Sequence, residues 1–253
     1  MPEPASSEPR SSTLDPAEVA RFARIASEWW DPKGKFRPLH RLGPTRLAFI
    51  RSRLAAHFGR TDGGLKLLDG ITALDIGCGG GLITEPLTRL GCRMTGLDPA
   101  PENIAAARAH ADEQDLAIDY RAATVEALVA EGALFDAVLC LEVVEHVPDP
   151  GAFLALCARL VRPGGLLIAS TINRTVKAYV LAIVGAEYVL RWLPVGTHQW
   201  ERFVTPDEMA RYLAAAGLGT ASCEGMVYDP LADRWSLSLD TDVNYLAAAA
   251  KPA

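Results

Sequence analysis

No uncharged stretch of this 253-residue sequence reaches the roughly 18 residues that an α-helix needs to cross a bilayer. The amino terminus, MPEPASSEPRSS, lacks the apolar centre of a secretory signal and is rich in proline and serine. Positive charge is in deficit: the net charge is −6 and the pI about 5.4, which argues against a nucleic-acid partner. Cysteine pairs are missing too. Cys78, Cys92, Cys140, Cys157 and Cys223 are odd in number and form no CxxC, so they read as small buried hydrophobes in a reducing compartment. The expected location is cytoplasmic, with peripheral membrane contact left open.

What is present is a regular alternation of strand and helix patterns, in a length that suits one α/β domain with additions. Its organising stretch runs from Ile71 to Asp98. A short apolar run to Ile76 reads as a buried strand, and Gly77-Cys78-Gly79-Gly80-Gly81 follows as a turn. Leu82, Ile83, Leu87 and Leu90 then give a helical pattern closed by Gly91, and a second strand delivers Asp98. Strand, glycine turn, helix, strand and acid together form the unit that binds an adenosine-containing cofactor. Glycine lets the backbone come close to a ligand, and an acid at the second strand's tip can accept both ribose hydroxyls.

The glycine spacing separates two cofactors. A dinucleotide fingerprint, G-x-G-x-x-G, requires glycine at position 82 after Gly77 and Gly79, and Leu82 stands there. The pattern is instead G-x-G-x-G, with Asp75 two residues before its first glycine. S-adenosylmethionine has no pyrophosphate to place on a helix terminus, and its cationic amino-acid tail suits an acid beside the turn.

Further alternation is expected from helices at 101–112, 124–131 and 150–160, and strands at 117–121, 134–141 and 166–171. A helix opened by Thr205-Pro206-Asp207-Glu208, a strand near 221–228 and a last strand at 243–249 complete the set. Residues 1–13 are expected to be disordered, and 14–253 to form a single domain. Residues 14–60, with an N-cap at Asp15, are expected to cap the cofactor cleft. After the fourth strand, LEVVEHVPDP sets Glu142, Glu145 and His146 close together; on a helical turn they would share one face. They could bind a divalent cation, Mg²⁺ or Zn²⁺, or one could supply a general base; in the alternative Glu145 and His146 cap a helix or hydrogen-bond the loop. The segment 174–200 breaks the rhythm with Tyr179, Ile183, Tyr188 and Trp192 flanked by Arg174, Lys177 and Arg191. It reads equally as a lid over a greasy pocket or as an interfacial helix on an anionic membrane.

LDIGCGGG, GLD, LEVVEHVPDP, STINRT, VGAEYVL and PVGTHQW, with the closing DVNY, resemble the ubiquinone-biosynthesis O-methyltransferase family over about Phe22 to Lys251. GxGxG alone marks only the class I methyltransferase superfamily, whereas EHVPDP with NRT, GAEY and GTH is far more specific. The resemblance implies a Rossmann-like three-layer sandwich with a seven-stranded, mostly parallel sheet, a helical cap and a helical insert after strand 5. It implies S-adenosylmethionine contacts at Arg46, Gly77, Asp98 and Leu141, beside Asp75 and Gly79 from the turn itself. Mg²⁺ or a similar cation is implied on Glu142, Glu145 and His146, which would also carry the catalysis. The implied reaction methylates phenolic hydroxyls of polyprenylated ubiquinone precursors, a polyprenyl-hydroxyphenol and a demethylubiquinol. Implied partners are a membrane surface through 174–194 and a ubiquinone-synthesis complex. Two departures stand out: the polar amino terminus is longer, and Leu141 offers only its backbone or apolar packing. Rival readings are an O-methyltransferase for another hydrophobic phenol, or a non-catalytic lipid-binding member of such a complex. A dehydrogenase is a third, disfavoured by Leu82.

Overall fold

The computed structural model describes residues 13–61, 64–189 and 199–253. Five parallel strands form one half of the sheet: β1 (Thr72–Ile76), β2 (Arg93–Asp98), β3 (Asp119–Ala122), β4 (Phe135–Leu141) and β5 (Val161–Ile172). Three more, β6 (Ser222–Asp229), β7 (Arg234–Ser238) and β8 (Asn244–Ala250), join antiparallel, giving the order β3-β2-β1-β4-β5-β8-β6-β7. The sheet therefore has eight strands where seven were expected. The additional strand is β7, whose five residues lie at the sheet edge with only Trp235 and Leu237 to carry an alternating signal.

Strand pleating sends successive side chains to opposite faces, and the core divides accordingly. Leu74, Val138, Leu167 and Tyr245 pack on one face, against α6 (Pro150–Leu160) and α8 (Pro206–Ala215). Ala73, Leu139, Ile168 and Leu246 pack on the other, against α2 (Arg37–His57) and α3 (Thr84–Arg89). The remaining core helices, α4 (Pro101–Glu113) and α5 (Val125–Ala130), connect β2 to β3 and β3 to β4. Local signals are obeyed closely. Thr205 and Glu208 exchange side-chain and backbone hydrogen bonds in a capping box, and Asp15 caps α1 (Pro16–Ala23) by accepting from the Ala17 amide. The Arg162-Pro163-Gly164-Gly165 stretch ends α6 as expected, but it belongs to β5 itself, with an irregular register opposite Phe135–Ala137.

The amino-terminal segment crosses the carboxyl ends of the strands. None of the residues of α1 is buried, and α2 packs along β7, with Arg41 holding Asp233 at 2.6 and 2.7 Å. Thr13 is anchored by its amide and hydroxyl to Glu126 at 2.9 and 2.7 Å, while the rest of the expected disordered segment lies outside the described residues. After β5 the chain forms a short helix α7 (Val176–Ala178) that continues as a π-helix through Tyr179–Val189. The expected insert's later part, 190–198, lies outside the described residues. No helix among the described residues is long and apolar enough to cross a membrane.

Candidate active site

Sheet order reverses between β1 and β4, the position at which open α/β sheets bind ligands. A cavity of about 860 Å³ opens there and runs along one edge of the sheet, within the size range of small-molecule sites. It touches the ends of β1, β2, β4 and β5 at Ile76, Asp98, Leu141 and Ile172. Beyond β8 it reaches Met226 and Trp235, so one continuous space spans the parallel and antiparallel halves.

The glycine turn lies at its floor. Gly77 and Gly79 have φ of +70° and +54°, a left-handed backbone that disfavours a side chain. The amides of Gly77 and Cys78 both donate to the Leu97 carbonyl, at 2.7 and 3.0 Å, which ties the turn to β2. A Cβ on Gly79 would meet the Trp29 ring at 2.3 Å, and one on Gly77 would meet Val143 at 2.5 Å. The turn is thus also tight against protein side chains, a reason for glycine that its spacing alone did not reveal.

Two acids flank this floor. Asp75 is buried, accepts from the Thr84 hydroxyl at 2.6 Å and is pushed up to about 6, first by burial and then by the nearby Asp98 charge. Asp98 accepts from the Gly79 amide at 3.1 Å, the Ala100 amide at 2.9 Å and the Asn103 amide side chain at 3.1 Å. Burial raises its carboxyl above the ordinary range despite those three donors.

The opposite wall comes from the loop after β4. Glu142 takes a left-handed conformation, φ +54°, uncommon for a residue with a side chain, and only Val144–His146 turn helically. The single helical face that would align Glu142, Glu145 and His146 is therefore absent. Each instead has its own partner. Glu142 accepts from Ser170 at 2.8 Å and lies 2.9 Å from the Arg46 guanidinium, buried in α2, whose Nε and Nη2 make no hydrogen bond. Contact at 2.9 Å without a hydrogen bond means that charge attraction, not an aligned N–H, joins them. Glu145 is buried, takes a hydrogen bond from Thr171 at 2.8 Å and leaves Oε1 without a partner. Burial, then the adjacent Glu142 charge, pushes its carboxyl up to about 8. His146 meets Glu18 of α1 at 2.8 Å through Nδ1 and packs edge-on against Phe22 at 5.5 Å. Burial opposes ionisation of Glu18, but the imidazole's hydrogen bond and charge outweigh it and hold that carboxyl below its usual range.

All nine residues marked out by the sequence reach this region, eight of them lining the cavity directly: Arg46, Asp75, Gly77, Asp98, Leu141, Glu142, Glu145 and His146. Gly79 faces Trp29 instead. Glu18, Thr84, Asn103, Ser170 and Thr171 were not anticipated; Glu18, Ser170 and Thr171 act through contacts distant in the chain, while Thr84 and Asn103 meet Asp75 and Asp98 only 9 and 5 residues away without any periodic pattern to mark them. Among the described residues, no three His, Cys, Asp or Glu side chains gather as metal ligands.

Residues 74–169 match a methyltransferase domain model. The chain is 56% identical over 238 residues to a ubiquinone biosynthesis O-methyltransferase of Parvibaculum lavamentivorans, covering 94% of each. It is 56% identical over 245 residues to the protein of the same name from Chelativorans sp., covering 97% of each. Its fold is similar to magnesium protoporphyrin IX methyltransferase from Synechocystis PCC 6803 with bound SAH, at TM-score 0.64 and 19% identity over 93% of this chain and 94% of that one. A Burkholderia thailandensis 1,6-didemethyltoxoflavin-N1-methyltransferase is similar at TM-score 0.59 and 21% identity, over 98% and 93%.

Because the folded-state pKa of Glu145 is raised, its stabilising contribution is complete below the ordinary carboxylate value. It is lost as pH climbs toward about 8. In metal-free buffer, Glu145→Gln, which is neutral at every pH, removes this dependence. Chemical unfolding from pH 5.5 to 8.5 is expected to show wild type losing up to about 1.4 kcal/mol per pH unit relative to the variant. Parallel curves would show that Glu145 is ionised throughout.

Proposed function

The chain belongs to the ubiquinone biosynthesis O-methyltransferase family, and from that premise we propose how its cavity performs S-adenosylmethionine-dependent methylation of a phenolic oxygen. One observation carries the reading: a single cavity joins the glycine turn to an acid–histidine wall and continues into an apolar arm. The donor's ribose goes to Asp98 and its ammonium to Asp75, which a cation would return to the ionised form. Arg46, buried with two unbonded nitrogens, suits the donor's carboxylate. Leu141 gives the adenine an apolar edge. The acceptor ring lies toward His146, and Leu42, Met226 and Trp235 take the polyprenyl tail of a 2-polyprenyl-6-hydroxyphenol or 3-demethylubiquinol.

A phenol with pKa near 10 is mostly protonated at neutral pH, so the hydroxyl must lose its proton for efficient attack. With Nδ1–H of His146 donating to Glu18, Nε2 is the basic nitrogen, and Glu18 stabilises the imidazolium that forms. The phenolate oxygen then attacks the sulfonium methyl in line, the C–S bond breaks, and S-adenosylhomocysteine leaves as a neutral thioether. Alignment of oxygen, carbon and sulfur is the main demand on the protein.

A divalent cation such as Mg²⁺ fits the donor chemistry of Glu142 and Glu145, because Glu145 Oε1 is buried, unpartnered and crowded by a second carboxylate. Bound there, it would supply Lewis acidity toward the phenolic oxygen. The exposed run Val176, Tyr179, Val180, Leu181 and Val184 supports contact with an anionic membrane, where such substrates reside, and membership of a ubiquinone-synthesis complex extends the same reading.

Labelled S-adenosylmethionine with a short-chain demethylubiquinol is expected to yield labelled product, and His146→Ala to lower kcat about 10²-fold or more. No transfer by folded wild type would overturn the assignment. Calorimetry with MgCl₂ should show heat that Glu145→Gln abolishes; equal traces would remove the cation from the site. In flotation with phosphatidylglycerol vesicles the wild type should rise, and a Leu181→Asp/Val180→Asp variant should stay behind. Equal flotation would end the membrane reading.

A further inference from the structure

The amino-terminal segment has an unusual dependence on the cofactor floor. Helix α1 has eight residues and buries none of them. So short a helix is marginal by itself, and its order must come from neighbours. Its apolar residues Val19 and Phe22, with Ile25 just beyond it, line the cavity, and Phe22 and Ile25 are packed only against the small cluster of Ala26, Trp29 and Phe36, apart from the two main cores of the sheet. No strand pairing joins the segment to the sheet. Its attachments are side-chain contacts, and two consecutive tryptophans supply a large share of them.

Trp29 is 7% exposed and lies across the glycine turn, with its ring against Gly79 and its Cβ against Gly80. Its indole N–H donates to Asn103 Oδ1 at 2.8 Å, and the amide nitrogen of the same Asn103 donates to Asp98 Oδ1 at 3.1 Å. Phe36 stacks on its outer face at 3.6 Å and 8°. Trp30 donates to the Gly80 carbonyl at 2.9 Å and stacks on His110 at 3.4 Å, itself held by Glu85 at 2.7 Å. Trp29 also lines the cavity together with Gly77, Cys78, Asp98 and Asn103.

We infer that Trp29, through Asn103 and Asp98, couples donor occupancy to docking of residues 14–36, so that the cofactor assembles the acceptor wall. The inference rests on Asp98 being the ribose acceptor. A ribose on Asp98 fixes the carboxylate that orients Asn103, and a fixed Asn103 presents its carbonyl to the indole. Docked Trp29 in turn roofs the turn and excludes water from those hydrogen bonds, which strengthens them. Linkage requires the effect to run both ways: whatever the donor adds to docking, docking adds to donor affinity. The same segment carries Glu18 and Phe22, which meet His146, so a loose segment leaves the histidine without its carboxylate. Trp29 is a positioning residue in this scheme, and the order it implies is donor first, phenol second.

Amide hydrogen exchange on the full chain, with and without S-adenosylhomocysteine, tests this directly. In wild type the ligand is expected to slow exchange across residues 17–31 by tenfold or more. Trp29→Ala should weaken S-adenosylhomocysteine about tenfold by calorimetry and abolish that protection, and Asn103→Ala should do the same through the other end of the chain of contacts. Trp29→Phe, which keeps an aromatic ring and lacks the N–H, should fall between. If Trp29→Ala does not fold, the wild-type exchange experiment and Trp29→Phe still decide. Unchanged affinity with intact protection, alongside a lower melting temperature, would reduce Trp29 to a packing residue and overturn the proposal. Tight wild-type binding without protection of 17–31 would overturn the coupling while leaving the cofactor reading in place. No binding by wild type would instead bring down the reading on which the coupling rests.

Discussion

The reversal of strand order between β1 and β4 constrains everything else in the molecule. On either side of that point the crossover helices leave in opposite directions, and neither covers the strand ends between them. Each strand must finish in this gap, so the residue at its tip faces a cavity instead of a core. Gly77, Asp98, Leu141 and Glu142 are placed by where their strands stop. The antiparallel half lengthens the gap: because β8 runs against β5, its first residues lie at the same edge as the last residues of the parallel strands. One edge therefore offers buried polar groups at one end and apolar surface at the other.

The polar end is electrostatically costly and is arranged so that ligands relieve it. Asp75, Asp98 and Glu145 are buried acids whose protons are held more tightly than in water, and Arg46 is a buried cation with unbonded nitrogens. Glu142 adds backbone strain by standing in the left-handed region, where it can meet both Ser170 and Arg46. A structural core would replace such groups by apolar ones. A zwitterionic sulfonium donor carries a complement for each sign: a carboxylate for the guanidinium and positive charge for the acids. Sites with groups fixed in advance need little reorganisation when charge shifts during methyl transfer.

The amino-terminal segment solves a different problem. Methyl transfer to a phenol wants water excluded, yet both reactants must enter and a lipid tail must pass. The wall is a short helix with no fully buried residue, held by side-chain contacts of which Trp29 and Trp30 supply two hydrogen bonds to the region of the glycine turn. The Glu18–His146 contact shows the consequence: the histidine stands on the loop that follows β4, and the carboxylate that meets it stands on the amino-terminal wall.

Local chemistry was legible in the amino-acid order. Period-two and helical patterns, the capping box at Thr205, the proline and acid that open α1, and the G-x-G-x-G turn with Asp98 all depend on neighbours a few residues apart, and the fold follows them closely. The edge strand β7 escaped because two alternating apolar residues are too few to stand out. The helical alignment of Glu142, Glu145 and His146 was likewise not realised: spacing in the chain assumes a regular turn, and Glu142's left-handed backbone is not one. What only the tertiary structure decided was partnership. Glu18 with His146, Arg46 with Glu142, and Trp29 with Asn103 are separated by 74 to more than 100 residues or by a whole layer of the sandwich, and no periodicity links them. Sequence order determined which groups could do chemistry, because that depends on residue type and near neighbours. Packing around the ends of the strands determined which of them meet, because that depends on the topology of the sheet.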